Sequence, residues 1–133
     1  MDKTLDNIFK NTKQIIVDSI GVDENEVKLE TTLFDELEVD SIDMIDILYE
    51  LESMYDVTLK VSDIENKAKE ELGDIPFEID GLITKEGLDI LKTHMTEIDE
   101  SKITEGLTIH KLVQLFTVHS LCKIVLYRIE NKD

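Results

Sequence analysis

Asp40-Ser41-Ile42-Asp43-Met44-Ile45-Asp46-Ile47-Leu48-Tyr49-Glu50-Leu51-Glu52-Ser53-Met54-Tyr55 is the stretch on which the reading of the chain turns. Its apolar residues cover most of a helix circumference. Asp40 stands where an N-cap is expected, with Asp43 three residues on in the capping-box position. At about 100° per residue, Asp43, Asp46, Glu50 and Ser53 fall on one narrow polar stripe, so the spacing predicts a helix largely covered by its neighbours and showing one acidic edge. With Asp40 as the cap, Ser41 points outward. A phosphodiester built on its hydroxyl would then sit where unpaired N–H groups and the helix dipole favour an anion.

On the N-terminal side, Leu5, Ile8, Phe9, Ile15, Ile16 and Ile20 recur at helical steps, predicting a helix over about 3–20 that Gly21 ends. Residues 21–39 lose that period and read as a long loop pinned by Val22, Val27, Leu29, Leu33, Phe34 and Leu37. On the C-terminal side the signals weaken over 56–106. Pro76 and Asp80-Gly81 mark turns, and Thr84 can cap a short helix through Leu88, Ile90, Leu91 and Met95. Residues 107–133 are strongly apolar and carry four basic against two acidic residues. They read as one long helix or two consecutive ones, packed against the first two.

The whole chain is 133 residues with a net charge of −17, which suits a single domain and repels phosphate backbones and anionic lipid surfaces, so nucleic acid is not an expected partner. No stretch is long and apolar enough for a membrane span. Cys122 is the only cysteine, so no intrachain disulfide forms, and no secretion signal is read at the N-terminus; a reducing cytoplasm is expected. His94, His110 and His119 are scattered without metal-ligand spacing. A calcium loop read back from Gly81 places Pro76 and Gly87 where the strongest carboxylates belong, so no metal site is expected. No phosphate-binding loop, nucleophile elbow or catalytic triad order is present.

The run from Gly21 to Val57 resembles the acyl carrier protein family, whose Asp-Ser-Leu motif opens an acidic second helix after a first helix and a long loop. Here the motif is Asp40-Ser41-Ile42-Asp43, with Ile for the commoner Leu, and Leu33, Leu37, Ile45, Leu48, Leu51 and Glu52 fall where the family places its anchors and helix face. Glu38-Val39 replaces the small or glycine residue that often precedes the motif. The resemblance implies 4′-phosphopantetheine attached covalently to Ser41 beside the Asp40 cap. It also implies an all-α, four-helix bundle that is not an enzyme. Such a carrier holds acyl intermediates as thioesters and delivers them to enzymes of fatty acid, lipid or polyketide-type biosynthesis. The implied partners are a phosphopantetheinyl transferase and acyl-ligase, synthase or acyltransferase enzymes with basic docking patches. A monomer is expected.

Residues 29–59 hold ten acids and no Lys or Arg, a self-repelling arrangement that points to docking of basic partners through Asp43, Met44, Asp46, Ile47 and Glu50. After Val57-Thr58-Leu59 an ordinary carrier needs about twenty residues before its last helix, whereas this chain uses about sixty. Residues 61–116 are accordingly read as an inserted helical segment within one carrier domain, 1–133, and include the family's usual short third helix. The last helix is aligned at Thr117-Val118, with Thr108-Ile109 as the rival start. A reading from another class, an acidic helical interaction module such as a nucleic-acid mimic or inhibitor subunit without cofactor, shares the fold and the charge. It differs only in having no need of the Ser41 hydroxyl.

Overall fold

The computed structural model describes residues 4–60 and 62–131. Among them are six α-helices and one short antiparallel hairpin, an all-α architecture with helices set between the second and the last. The chain divides into two compact units, one formed by the chain up to Leu59 and from Phe116 onward, the other by Lys60–Leu115. No described helix is long and apolar enough to cross a membrane.

In the first unit, helix α1 (Leu5–Ile20) is capped by Thr4, whose hydroxyl accepts the Asn7 N–H, and closes on Gly21 at φ 73°, whose N–H donates to the Val17 carbonyl. Of the helix predicted over 3–20, position 3 lies outside the described residues. Ile8, Thr12, Ile15 and Ile16 form the buried face. Helix α1 packs on both α2 (Ser41–Tyr55) and the last helix, here α6 (Val118–Glu130), and is the common partner that gathers the unit. Helix α6 buries Val118, Leu121, Cys122 and Val125 and starts at Thr117, whose hydroxyl accepts the Ser120 N–H while Ser120 Oγ accepts the Thr117 N–H.

The loop from Gly21 to Asp40 includes a 3-10 turn at Glu24–Glu26 and is irregular in conformation but closely tied down. Val27, Leu33, Leu37 and Val39 are buried, whereas Val22, Leu29 and Phe34 are half-buried. The loop carbonyls of Thr31 and Leu29 accept the Val118 and His119 N–H groups at 2.9 Å each, and the Leu33 N–H donates to the Phe116 carbonyl at 3.0 Å. The first two of these bonds satisfy first-turn donors of α6 that no helical carbonyl can reach.

In the second unit, α3 (Ser62–Leu72) packs on α4 (Lys85–His94), and α5 (Ile109–Gln114) follows. Between α3 and α4 the strands β1 (Glu78–Ile79) and β2 (Leu82–Ile83) pair as Glu78 with Ile83 and Ile79 with Leu82. The turn predicted at Asp80-Gly81 joins them, with φ of 53° and 87° at its two residues, the positive pair that a two-residue hairpin turn requires. Thr84 caps α4, accepting the Gly87 N–H and donating to the Pro76 carbonyl. The apolar segment after 106 is two helices. Thr108 caps the six-residue α5 and Thr117 caps α6, so both candidate starts are helix starts and the last helix begins at the second.

Gly87 in α4 lies against the hairpin. A Cβ there would come within 2.6 Å of the Phe77 carbonyl oxygen and 2.9 Å of Ile83 Cγ2. Backbone cannot yield as a flexible side-chain end does, so Gly87→Ala is expected to destabilise this unit by about 2 kcal/mol. The check is amide hydrogen exchange. Protection should fall at 77–91 while the α1 and α6 amides keep theirs, and unchanged exchange throughout would refute the contact.

Candidate functional site

The site is the start of α2. Asp40 is in extended conformation, at φ −98° and ψ −179°, and its Oδ1 accepts the Asp43 N–H at 2.8 Å. The Asp43 Oδ2 in turn accepts the Asp40 N–H at 3.2 Å, so an Asp–Asp pair closes the capping box that Glu or Gln more often completes. Ser41, the first helical residue, is exposed. Because the neighbouring Asp makes the cap, the serine hydroxyl is left for other chemistry. It stands at the positive end of a fifteen-residue helix.

The approach to this helix start is strained at one residue. Glu38 has φ 55°, in the left-handed region, where a side chain costs about 1–2 kcal/mol and glycine nothing comparable. This is the position where Glu38-Val39 departs from the family's small residue. Val39, buried, donates its N–H to the Leu33 carbonyl and thereby fixes the turn into Asp40. The same loop borders an open cleft of about 440 Å³ lined by Val22, Leu37, Lys28, Asn25, Thr31 and the carboxylate-bearing Glu26, Glu36 and Glu38. Such a lining does not suit an apolar chain.

Helix α2 is oriented by Ile47, Leu51 and Tyr55, one every four residues, all buried, with the Tyr55 hydroxyl accepting from Asn11 Nδ2 in α1 at 2.9 Å. Two expectations are corrected here. Ile47, read as a docking residue, is fully buried and is a core anchor with no surface to offer a partner. The helix is also not largely covered: Ile42, Ile45 and Tyr49 are 71%, 66% and 65% exposed. The physical reason is angular. At about 100° per residue these three lie on the side opposite Ile47, Leu51 and Tyr55, and a helix packed through one stripe cannot bury both sides.

The exposed face is therefore an apolar strip, Ile42, Ile45 and Tyr49, running beside exposed Asp46 and Glu50. Asp43 and Met44 are half-buried, and the Asp43 carboxylate is engaged in the cap. Exposed Ile45 and Tyr49 are four residues apart just as buried Ile47 and Leu51 are, so spacing alone does not separate Ile47 from Ile45.

Elsewhere, the Cys122 thiol is buried, and burial pushes its pKa up to about 11, with the Thr12 hydroxyl opposing the shift; it stays protonated and inert at neutral pH. His94 pairs with Glu71 at 2.8 Å, and His110 lies beside Gln114. Among the described residues no group of His, Cys, Asp and Glu has the arrangement to hold a metal ion.

Asp40→Ala is expected to cost about 1 kcal/mol, and Asp40→Ser much less, because serine caps nearly as well. Urea unfolding of the two variants tests this assignment, and equal midpoints would show that the box contributes nothing.

The family description "Phosphopantetheine attachment site" matches residues 12–74, a span that contains Ser41 and runs to just past α3. The acyl carrier protein of Petrotoga mobilis is 39% identical over 62 residues, which are 47% of this chain and 73% of that protein. That of Thermotoga maritima is 39% identical over 70 residues, 53% of this chain and 84% of its own length. That of Campylobacter lari is 36% identical over 64 residues, 48% and 83% respectively. No solved structure matches the chain.

Proposed function

Because the chain belongs to the acyl carrier protein family, we propose that Ser41 is the residue to which its cofactor, 4′-phosphopantetheine, is attached. A member of this family is a carrier and not an enzyme. The observation that supports the serine is its exposure at the first position of α2 with the cap supplied by Asp40. The donor chemistry suits the group: a primary hydroxyl open to solvent takes the phosphodiester, and the helix N-terminus favours its negative charge. When bound, the group supplies a thiol-ended arm for the acyl cargo. The chain itself holds the attachment point in place through the Asp40–Asp43 box and the Val39–Leu33 bond.

The partners are a phosphopantetheinyl transferase and acyl-ligase, synthase or acyltransferase enzymes of fatty acid, lipid or polyketide-type biosynthesis. They dock on the face of α2 that holds Asp46 and Glu50 beside Ile42, Ile45 and Tyr49, with Asp43 and Met44 at its margin. A basic patch gripping this face would bring a partner's active site to Ser41. Residues 61–116 are an insertion in a single carrier domain. The family match ends just after α3, which supports α3 as the usual short third helix and the hairpin, α4 and α5 as the added part. Residue 61 itself lies outside the described residues.

Intact mass of the protein made with an active phosphopantetheinyl transferase tests the attachment residue. Ser41→Ala is expected to keep the helical circular dichroism and to lack the added mass. Modification that survives in the variant would remove Ser41 from the reading. A wild-type chain that never gains the mass would favour the cofactor-free interaction module instead.

Docking is tested separately, through charge. Asp46→Lys with Glu50→Lys is the pair to reverse, because Asp43 also closes the cap. Each rim contact is worth about 1 kcal/mol or less, so transfer to Ser41 is expected to slow roughly tenfold at low salt. The gap should narrow as the Debye length falls to about 8 Å at 0.15 M ionic strength. Rates equal to wild type at every salt concentration would mark these acids as solvated surface.

A further inference from the structure

Between Lys69 and Lys85 the chain carries five carboxylates and no Lys or Arg. The same stretch leaves three large aliphatic side chains in water. Ile75, Ile79 and Leu82 are 47%, 57% and 50% exposed. Ile79 and Leu82 face each other across the hairpin and flank its Asp80-Gly81 turn. The turn needs only the Asp-Gly pair, and a polar β-branched pair would hold the register as well as two aliphatics do, so folding does not account for this apolar surface. The arm is anchored by Phe77 and Ile83, which are buried, and its tip is held by the Gly81 N–H, which donates to Glu78 Oε2 at 2.7 Å.

We propose that this hairpin is a second protein-docking surface, made of residues other than those of α2, whose occupant is a partner protein presenting an apolar patch bordered by Lys or Arg. Charge selects that occupant. Asp74, Glu78 and Asp80 are the sequence neighbours of Ile75 and Ile79, so phosphate backbones and anionic lipid are repelled, and a second copy of the chain would set like carboxylates against one another. A basic border is what such a surface attracts, and the exposed Ile79–Leu82 pair is what an apolar patch would bury.

The test is titration of the isotopically labelled full chain with a synthetic amphipathic leucine–lysine helix, followed by NMR. The amides of residues 74–83 are expected to shift as a set of their own, apart from those of α2, and the shifts should fade as salt is raised. The same helix with glutamate for lysine is expected to leave them in place. Ile79→Asn with Leu82→Asn is expected to weaken binding at the hairpin about a hundredfold, roughly tenfold for each aliphatic removed, while the α2 shifts persist. Asp74→Asn with Glu78→Gln keeps the aliphatics and is expected to weaken binding less but to flatten its salt dependence. The proposal is overturned if α2 shifts while the hairpin stays still, or if the glutamate helix binds as tightly. It is likewise overturned if the hairpin shifts follow the protein's own concentration without peptide, which would make a second copy the occupant.

Discussion

The first turn of any helix exposes N–H groups that the helix cannot pair, and burying them unpaired costs more than any one contact returns. At the start of α6 this need is met by a segment some ninety residues earlier, whose Thr31 and Leu29 carbonyls accept the Val118 and His119 N–H groups. The Phe116 carbonyl takes the Leu33 N–H in exchange. This junction holds the long loop to the last helix. The buried Leu33, Leu37 and Val39 follow from it, and so does the position from which α2 starts. A loop free of these bonds would leave the Ser41 hydroxyl without a defined place relative to the helix bundle.

At the site itself, capping and attachment fall to different residues. Serine is a good N-cap, and a serine used as one has its hydroxyl occupied. Here Asp40 and Asp43 close the box between them, and Ser41 is moved one position into the helix, where its hydroxyl is exposed beside the positive end of the dipole. The cost of this arrangement appears in the approach, where Glu38 takes a left-handed conformation that glycine would adopt freely. The concentration of acids over 29–59 is a further cost through self-repulsion, tolerated because Asp46 and Glu50 are exposed and well solvated.

The second unit is organised by a close approach. The Gly87 backbone lies against Phe77 and Ile83 with no room for a side chain, and Thr84 joins the two elements by capping α4 with its hydroxyl oxygen while donating its proton to the Pro76 carbonyl. One short stretch, 76–87, therefore fixes the hairpin to the helix that follows it. The hairpin's outer side is left with exposed aliphatics on a fixed support.

Local chemistry was legible in the sequence. Asp40, Thr84, Thr108 and Thr117 are side chains that can accept a hydrogen bond three residues ahead, and Gly21 and Asp80-Gly81 suit positive φ; each acts within a few residues, so each can be read without knowing the fold. The resemblance around Asp40-Ser41-Ile42-Asp43 was legible for the same reason, since its motif and anchors lie close together. Helix α3 was not, because its sequence, Ser-Asp-Ile-Glu-Asn-Lys-Ala-Lys-Glu-Glu-Leu, has too few apolar residues to show a period and packs on α4 only after the chain has turned back through the hairpin. Nor could the sequence say which side of α2 meets α1. Both sides are apolar, and the choice of Ile47, Leu51 and Tyr55 over Ile42, Ile45 and Tyr49 was made by the tertiary structure, where α1 offers one packing face and Asn11 reaches the Tyr55 hydroxyl.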